Sequence, residues 1–186
     1  MTEGRDADKR KRVAARALAA RFRALRMDPQ RLLSQFERLI PLAARWAEAL
    51  ETRILREGVP LTAEETADAQ ALGVREPERV RLLCLASVPT PDDLTLRAAA
   101  AAVQFLTPAT RGLALRYGIF IRADCWRERF LVAHELAHTE QYERLGGIKN
   151  FLLQYLTECL TVGYRAAPLE QAAIAATSRL ATGRLA

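Results

Sequence analysis

The chain has 186 residues, half of them hydrophobic, and a net charge of +6. The length predicts one domain of ordinary size, or a compact domain with a helical extension. No stretch approaches the ~18 consecutive apolar residues that a membrane-spanning helix needs, and the charged start MTEGRDADKRKR lacks the apolar run of a secretory signal. Three cysteines without paired spacing favour reduced thiols, so we expect a cytoplasmic protein without a membrane partner. These cysteines are Cys84, Cys125 and Cys159.

The positive charge is concentrated in an N-terminal arm, residues 1–26. This arm holds nine of the 28 basic residues and three of the 22 acidic ones, which leaves 19 of each in the rest of the chain. Such an arm can bind nucleic acid or an acidic partner. A solvated helix face is the simpler interpretation, because charge runs are common on exposed helices.

Helical spacing of apolar residues predicts a first helix from Lys9 to about Arg26. A second helix should begin at Pro29, which suits a first turn, and end before Gly58. Pro41 lies inside this second segment, where a proline kinks a helix or divides it in two.

A third helix is predicted in LTAEETADAQALG. Thr62 is the expected N-cap, Glu65 its capping-box partner, and Gly73 the stop signal. Residues 1–73 are thus predicted to be helical throughout. They contain no recognisable chemistry, which favours a packing or interaction subdomain.

The pattern changes after residue 73. RVRLLCLASVP predicts a strand, PDDLTLRAAAAAVQFL a helix, and GLALRYGIFIRAD a strand or hairpin. Three helices should complete the chain, at about 125–145, 148–163 and 168–182. The predicted fold class is therefore α+β and mostly helical, with a helical subdomain at 1–73 and a second domain at 74–186.

The segment LVAHELAHTEQYERLGG contains both histidines of the chain, His134 and His138. On a helix, positions four apart lie on one face, so the two imidazoles can bind one metal ion. Glu135 projects about 100° around the helix from His134, where it can reach a water on that ion and act as its base. The spacing His-Glu-x-x-His therefore predicts a zinc site with a general base.

This motif resembles that of the zincin metallopeptidases, and the resemblance covers about residues 113–175. It implies a zincin-like domain in which the motif lies on the active-site helix and two further helices follow. In zincins the strand before that helix forms the edge that holds an extended peptide, and YGIFIRAD occupies this place in the sequence.

A catalytic zinc needs a third protein ligand. No third histidine exists, which excludes the metzincin pattern and implies a carboxylate ligand, as in the gluzincin branch. We favour Glu170, because Tyr164 and the Glu-x-x-Ala helix after it resemble minimal gluzincins. In that resemblance Tyr164 is a hydrogen-bond donor to the developing oxyanion. Glu158 is the alternative ligand, or a carboxylate that orients a histidine, and Cys159 is a weaker ligand candidate.

The sequence thus predicts a zinc metallopeptidase that hydrolyses a peptide or protein substrate. Its metal ligands are His134, His138 and Glu170, and Glu135 activates the zinc-bound water. The rival interpretation is a non-catalytic binding module that keeps zinc as a structural or vestigial feature. Such a module would use the basic arm on nucleic acid or an acidic partner.

Overall fold

The computed structural model describes residues 29–102 and 106–182. The basic arm and the helix predicted at 9–26 lie outside the described residues. Within them the chain forms six helices and four strands, which confirms the α+β, mostly helical class. In chain order they are α1 Pro29–Glu57, β1 Val59–Pro60, α2 Ala63–Ala71, β2 Arg81–Leu85, α3 Leu94–Ala102, β3 Gly112–Leu115, β4 Gly118–Arg122, α4 Arg129–Leu145, α5 Ile148–Val162 and α6 Pro168–Ala181.

Most predicted elements are confirmed, with differences at their ends. The α1 helix is continuous through Pro41. The capping box of α2 is present: the Thr62 hydroxyl accepts from the Glu65 N–H, and the Glu65 carboxylate accepts from the Thr62 N–H. GLALRYGIFIRAD forms the hairpin β3–β4. No helix in the described ranges is long and apolar enough to cross a membrane.

The prediction that residues 1–73 are helical throughout is wrong at Val59–Pro60. These two residues form β1, which pairs antiparallel with β2. The sheet order is β1-β2-β4-β3, with β2 and β4 parallel and the other pairs antiparallel. The sequence gives no local signal for so short a strand, because only its partner in β2 defines it.

The prediction that YGIFIRAD forms the sheet edge is also wrong. Its strand, β4, lies between β2 and β3, and the edge next to the histidine helix is β3. The reason is the short hairpin: it places β3 on one side of β4, while β2 pairs with the other side. The edge strand is therefore the one that carries Gly112 and Ala114.

One hydrophobic core joins α1, the sheet, α4 and α5. The α1 helix packs against β2, β4 and α5 through fully buried residues such as Ala47 and Ile54. Beneath it, β4 contributes Ile119, Phe120 and Ile121, all buried. The division of the chain at residue 73 stays a prediction, since shared packing does not show which parts fold alone.

Buried acidic residues of α1 and α2 bind arginines close to the histidine helix. Each carboxylate has its charge compensated by a guanidinium, as a buried charge requires. The pairs are Glu51 with Arg116, Glu65 with Arg127, and Asp68 with Arg129. They fix the β3–β4 turn and the start of α4 against the N-terminal helices.

Candidate metal centre

Two hydrogen bonds fix the histidine helix α4 beside the edge strand. The Thr139 hydroxyl donates to the carbonyl of Arg116 at 2.8 Å. One turn further, the Tyr142 hydroxyl donates to the carbonyl of Ala114 at 3.1 Å. Glu135 and His138 lie one turn before Thr139 and Tyr142 on the same side of the helix, and with His134 they line a cavity of about 500 Å³.

The structure brings His134, His138 and Glu170 together. The two Nε2 atoms are 3.2 Å apart. Oε2 of Glu170 lies 3.5 Å from Nε2 of His134, and Oε1 of Glu170 lies 3.3 Å from Nε2 of His138. Tetrahedral zinc with bonds of ~2.0–2.1 Å separates its ligand atoms by about 3.3 Å. The separation of the two Nε2 atoms matches that value, and one ligand atom of each residue lies within 4.8 Å of the others. This ligand triangle could hold a metal ion.

Gln141 fixes His138 in the form that a metal requires. The Gln141 Nε2 donates to the carbonyl of Leu169 at 2.9 Å, so its Oε1 faces His138 Nδ1, also at 2.9 Å. An amide oxygen only accepts, and Nδ1 must therefore carry the hydrogen. In the neutral imidazole the lone pair then lies on Nε2, the atom that faces Glu170 and His134.

Glu170 reaches the histidines because Glu158 and Pro168 fix the start of α6. Pro168 occupies the first turn, and the Glu158 carboxylate accepts from the Leu169 N–H at 2.8 Å. Glu170 is buried and also accepts a hydrogen bond from the Tyr155 hydroxyl. Burial alone would raise the pKa of Glu170, but hydrogen bonds from the two imidazoles in their protonated form lower it well below its usual value. Glu170 is thus an anionic ligand candidate.

The two other ligand candidates from the sequence lie elsewhere. Glu158 holds the backbone of α6 and accepts from Gln154 Nε2, and it is not part of the ligand triangle. Instead of orienting a histidine, it orients the helix that carries Glu170. Burial raises the pKa of Cys159 to about 12, so its thiol stays protonated, and it is not in the triangle either.

Glu135 lies between the edge strand and the histidines. Its carboxylate is buried, and burial raises its pKa above the usual value. The Glu135 carboxylate packs against Gly112, since a Cβ added at Gly112 would lie 2.4 Å from Oε1 of Glu135. The positive charge of the two histidines and a hydrogen bond from the Ala114 N–H act in the opposite direction and lower the pKa of Glu135. The arrangement therefore places a basic carboxylate beside the ligand triangle.

Tyr164 and the edge strand line the same cavity. Burial raises the pKa of the Tyr164 hydroxyl, and the negative charges of Glu170 and Glu135 raise it further, so the hydroxyl stays a hydrogen-bond donor. The backbone hydrogen bonds to β4 begin at Arg111, just before β3, and then involve every second residue. Gly112 and Ala114 therefore direct their N–H and C=O groups away from β4.

Three residues of the site were not identified from the sequence. Gln141 follows His138 by three positions, a spacing that places both on one helix face and could have indicated it. Tyr155 and Gly112 carry no such signal, because their contacts to Glu170 and Glu135 cross between elements.

Comparisons with protein-family models, with curated proteins and with solved structures found no match. The chemistry that the site can perform therefore follows from its own residues: the ligand triangle, the orientation of His138 and the position of Glu135.

Proposed function

We propose that the protein is a zinc-dependent metallopeptidase whose metal is held by His134, His138 and Glu170. The ligand triangle is the observation that supports this most strongly, since it brings two imidazole nitrogens and one carboxylate oxygen within 4.8 Å of one another. Two imidazoles and one carboxylate are a donor set typical of catalytic zinc, which keeps a fourth position for water or substrate.

The residues of the chain then have separate roles in peptide hydrolysis. Bound zinc would polarise the scissile carbonyl and make the attacking water more acidic. Glu135 accepts a proton from that water as its oxygen attacks the carbonyl carbon. It delivers the proton to the leaving nitrogen when the C–N bond breaks. Tyr164 donates a hydrogen bond to the oxygen on which negative charge develops.

Two further observations support a peptide as substrate. The edge strand beside Glu135 directs backbone groups of Gly112 away from β4, where an extended chain can hydrogen-bond to them. The cavity is also lined by apolar side chains, including Leu113, Leu131 and Phe151. A cytoplasmic location remains part of the proposal, and the three free cysteines support it.

The substitution Glu135→Gln tests the proposal, because it removes the base and keeps the shape of the side chain. We expect zinc content to be unchanged and peptide hydrolysis to fall on the order of 10²–10⁴-fold. Glu140→Gln is the matched control on the same helix, since Glu140 pairs with Arg144 at the surface. Zinc per chain and cleavage of a broad peptide library are measured for all three proteins.

Zinc-loaded wild type that cleaves no peptide in the library would contradict the proposal. The protein would then be a binding module with structural zinc, the alternative function. Equal cleavage by the wild type and Glu135→Gln would leave peptidase activity in place but remove the role of Glu135.

A further inference from the structure

Two arginines line the cavity beside the ligand triangle, and they differ in their partners. Arg111 binds the Glu128 carboxylate through Nη2 and the Cys125 thiol through Nε. Within residues 29–102 and 106–182, the Arg165 side chain has no ion pair or hydrogen bond. Its exposed guanidinium is thus a cation at the cavity without a counter-charge in the described chain.

The backbone that carries Arg165 is fixed. Arg165 lies in a 3₁₀ helix of one turn, Tyr164–Ala166, next to the tyrosine of the site. The turn is closed by the Ala166 N–H to the Gly163 carbonyl and the Ala167 N–H to the Tyr164 carbonyl, both at 3.1 Å. The Arg165 carbonyl also accepts from Gln171 Nε2. Because this backbone is already ordered, binding of an anion by Arg165 does not carry the entropy cost of ordering the turn.

The other charged residues that line the cavity do not neutralise the positive charge of Arg165. The acidic residues of the lining are Glu135 and Glu170, and a divalent cation would balance these two. Arg111 is already neutralised by Glu128, so Arg165 gives the loaded cavity a net positive charge. A guanidinium binds carboxylates well because its planar N–H groups match two oxygens at once.

We propose that Arg165 is a specificity residue that binds a carboxylate of the substrate within this cavity. This inference rests on the proposed function, since only a peptidase has a peptide substrate. Binding of the carboxylate can be measured without turnover. The carboxylate is either the free C-terminus of a peptide or an acidic side chain close to the scissile bond. Both present the same chemistry to Arg165, and matched peptides distinguish them.

The experiment measures peptide binding to the zinc-loaded Glu135→Gln protein, in which hydrolysis is suppressed. Three probes are used: dansyl-Phe-Leu-Ala as the free acid, the same peptide as its amide, and the amide with glutamate as the last residue. We expect one or both acidic probes to bind on the order of three- to tenfold more tightly than the neutral amide. The preference should weaken as sodium chloride is raised from ~50 mM to ~500 mM.

Adding Arg165→Gln to the Glu135→Gln protein should abolish the preference for acidic probes. Adding Arg179→Gln, at an exposed position of α6, should keep it. A preference for the free acid alone indicates a C-terminal carboxylate, and a preference for the glutamate amide alone indicates a side chain. Equal binding of all three probes would overturn the proposal, as would a preference that persists in Arg165→Gln because the carboxylate binds zinc.

Failure of this proposal and failure of the proposed function are distinguishable. Wild type that cleaves peptides without any preference for a carboxylate would retain the peptidase and refute the subsite. Arg165-dependent binding in a protein whose wild type cleaves nothing would retain the subsite and refute the peptidase.

Discussion

Gly112 and Gln141 affect the site through the residues that they touch. Gly112 provides the space in which the Glu135 carboxylate lies, and Gln141 sets which nitrogen of His138 is free. Neither residue belongs to the ligand triangle. Their substitutions should therefore separate the position of the base from the binding of the metal.

Gly112→Ala should impair hydrolysis and leave zinc in place. The new Cβ would meet Oε1 of Glu135 at 2.4 Å, so the carboxylate must move away from its position beside the ligands. A displacement of about 1 Å can cost on the order of 10²-fold in rate. Steady-state kinetics should show the loss in kcat, with zinc content as the control. Full activity in the variant would show that Glu135 works from another position.

Gln141→Leu should weaken zinc binding by about 10–100-fold. The variant removes the acceptor of the His138 Nδ1–H, so the imidazole loses the contact that fixes its orientation. Competition with a chromophoric chelator measures the affinity. Gln70→Leu is the matched control, because Gln70 is an exposed residue of α2. An unchanged affinity in Gln141→Leu would mean that His138 is oriented without this hydrogen bond.

Among the elements, the β3–β4 hairpin and α1 are coupled by a buried carboxylate. Arg116, in the turn, has φ of 59°, a left-handed conformation that is uncommon outside glycine. Glu51 of α1 accepts two hydrogen bonds from its guanidinium, at 2.8 and 2.7 Å, and a third from the Tyr117 N–H at 3.1 Å. The turn that ends the edge strand is thus held by the N-terminal part of the chain.

Glu51→Ala should lower the free energy of unfolding by about 2–3 kcal/mol. This loss of stability is smaller than that of a fully buried ion pair, because the Arg116 side chain is 37% exposed and water can partly solvate it. Urea unfolding measures the change. Glu57→Ala serves as control, since its pairs with Arg53 and Arg56 lie at the surface and should contribute nothing measurable. Equal midpoints for the two variants would contradict this role of Glu51.

Local signals predicted the elements well, and tertiary pairing explains what they missed. The capping box of α2 and the histidine motif depend on residues three or four apart, so the sequence contains all the information. The existence of β1 and the internal position of β4 depend on which strands β2 pairs with, and no local pattern encodes that choice. The resemblance to gluzincins favoured Glu170 over Glu158, but no local pattern proves that choice, because the packing of α6 determines which carboxylate reaches the histidines.

In the whole molecule, the N-terminal arm and the rest of the chain have separate charge balances. Residues 1–26 carry the entire net charge of +6. Deleting them should abolish any salt-sensitive binding to a polyanion such as heparin or DNA, and leave zinc content unchanged. Salt titration of binding for the full chain and the truncated chain measures this. Polyanion binding that survives the deletion would place the basic surface within residues 27–186.

The ligand triangle joins α4 to α6, so the site depends on how the C-terminal helices pack as well as on the motif. The most direct test is zinc per chain after dialysis, in the wild type, Glu170→Ala and Glu158→Ala. We predict about one zinc in the wild type and its loss in Glu170→Ala, because one of three protein ligands is removed. Glu158→Ala should retain zinc, weakened at most ~10–100-fold through the position of α6. Full zinc in Glu170→Ala, or its loss in Glu158→Ala alone, would contradict the assigned site.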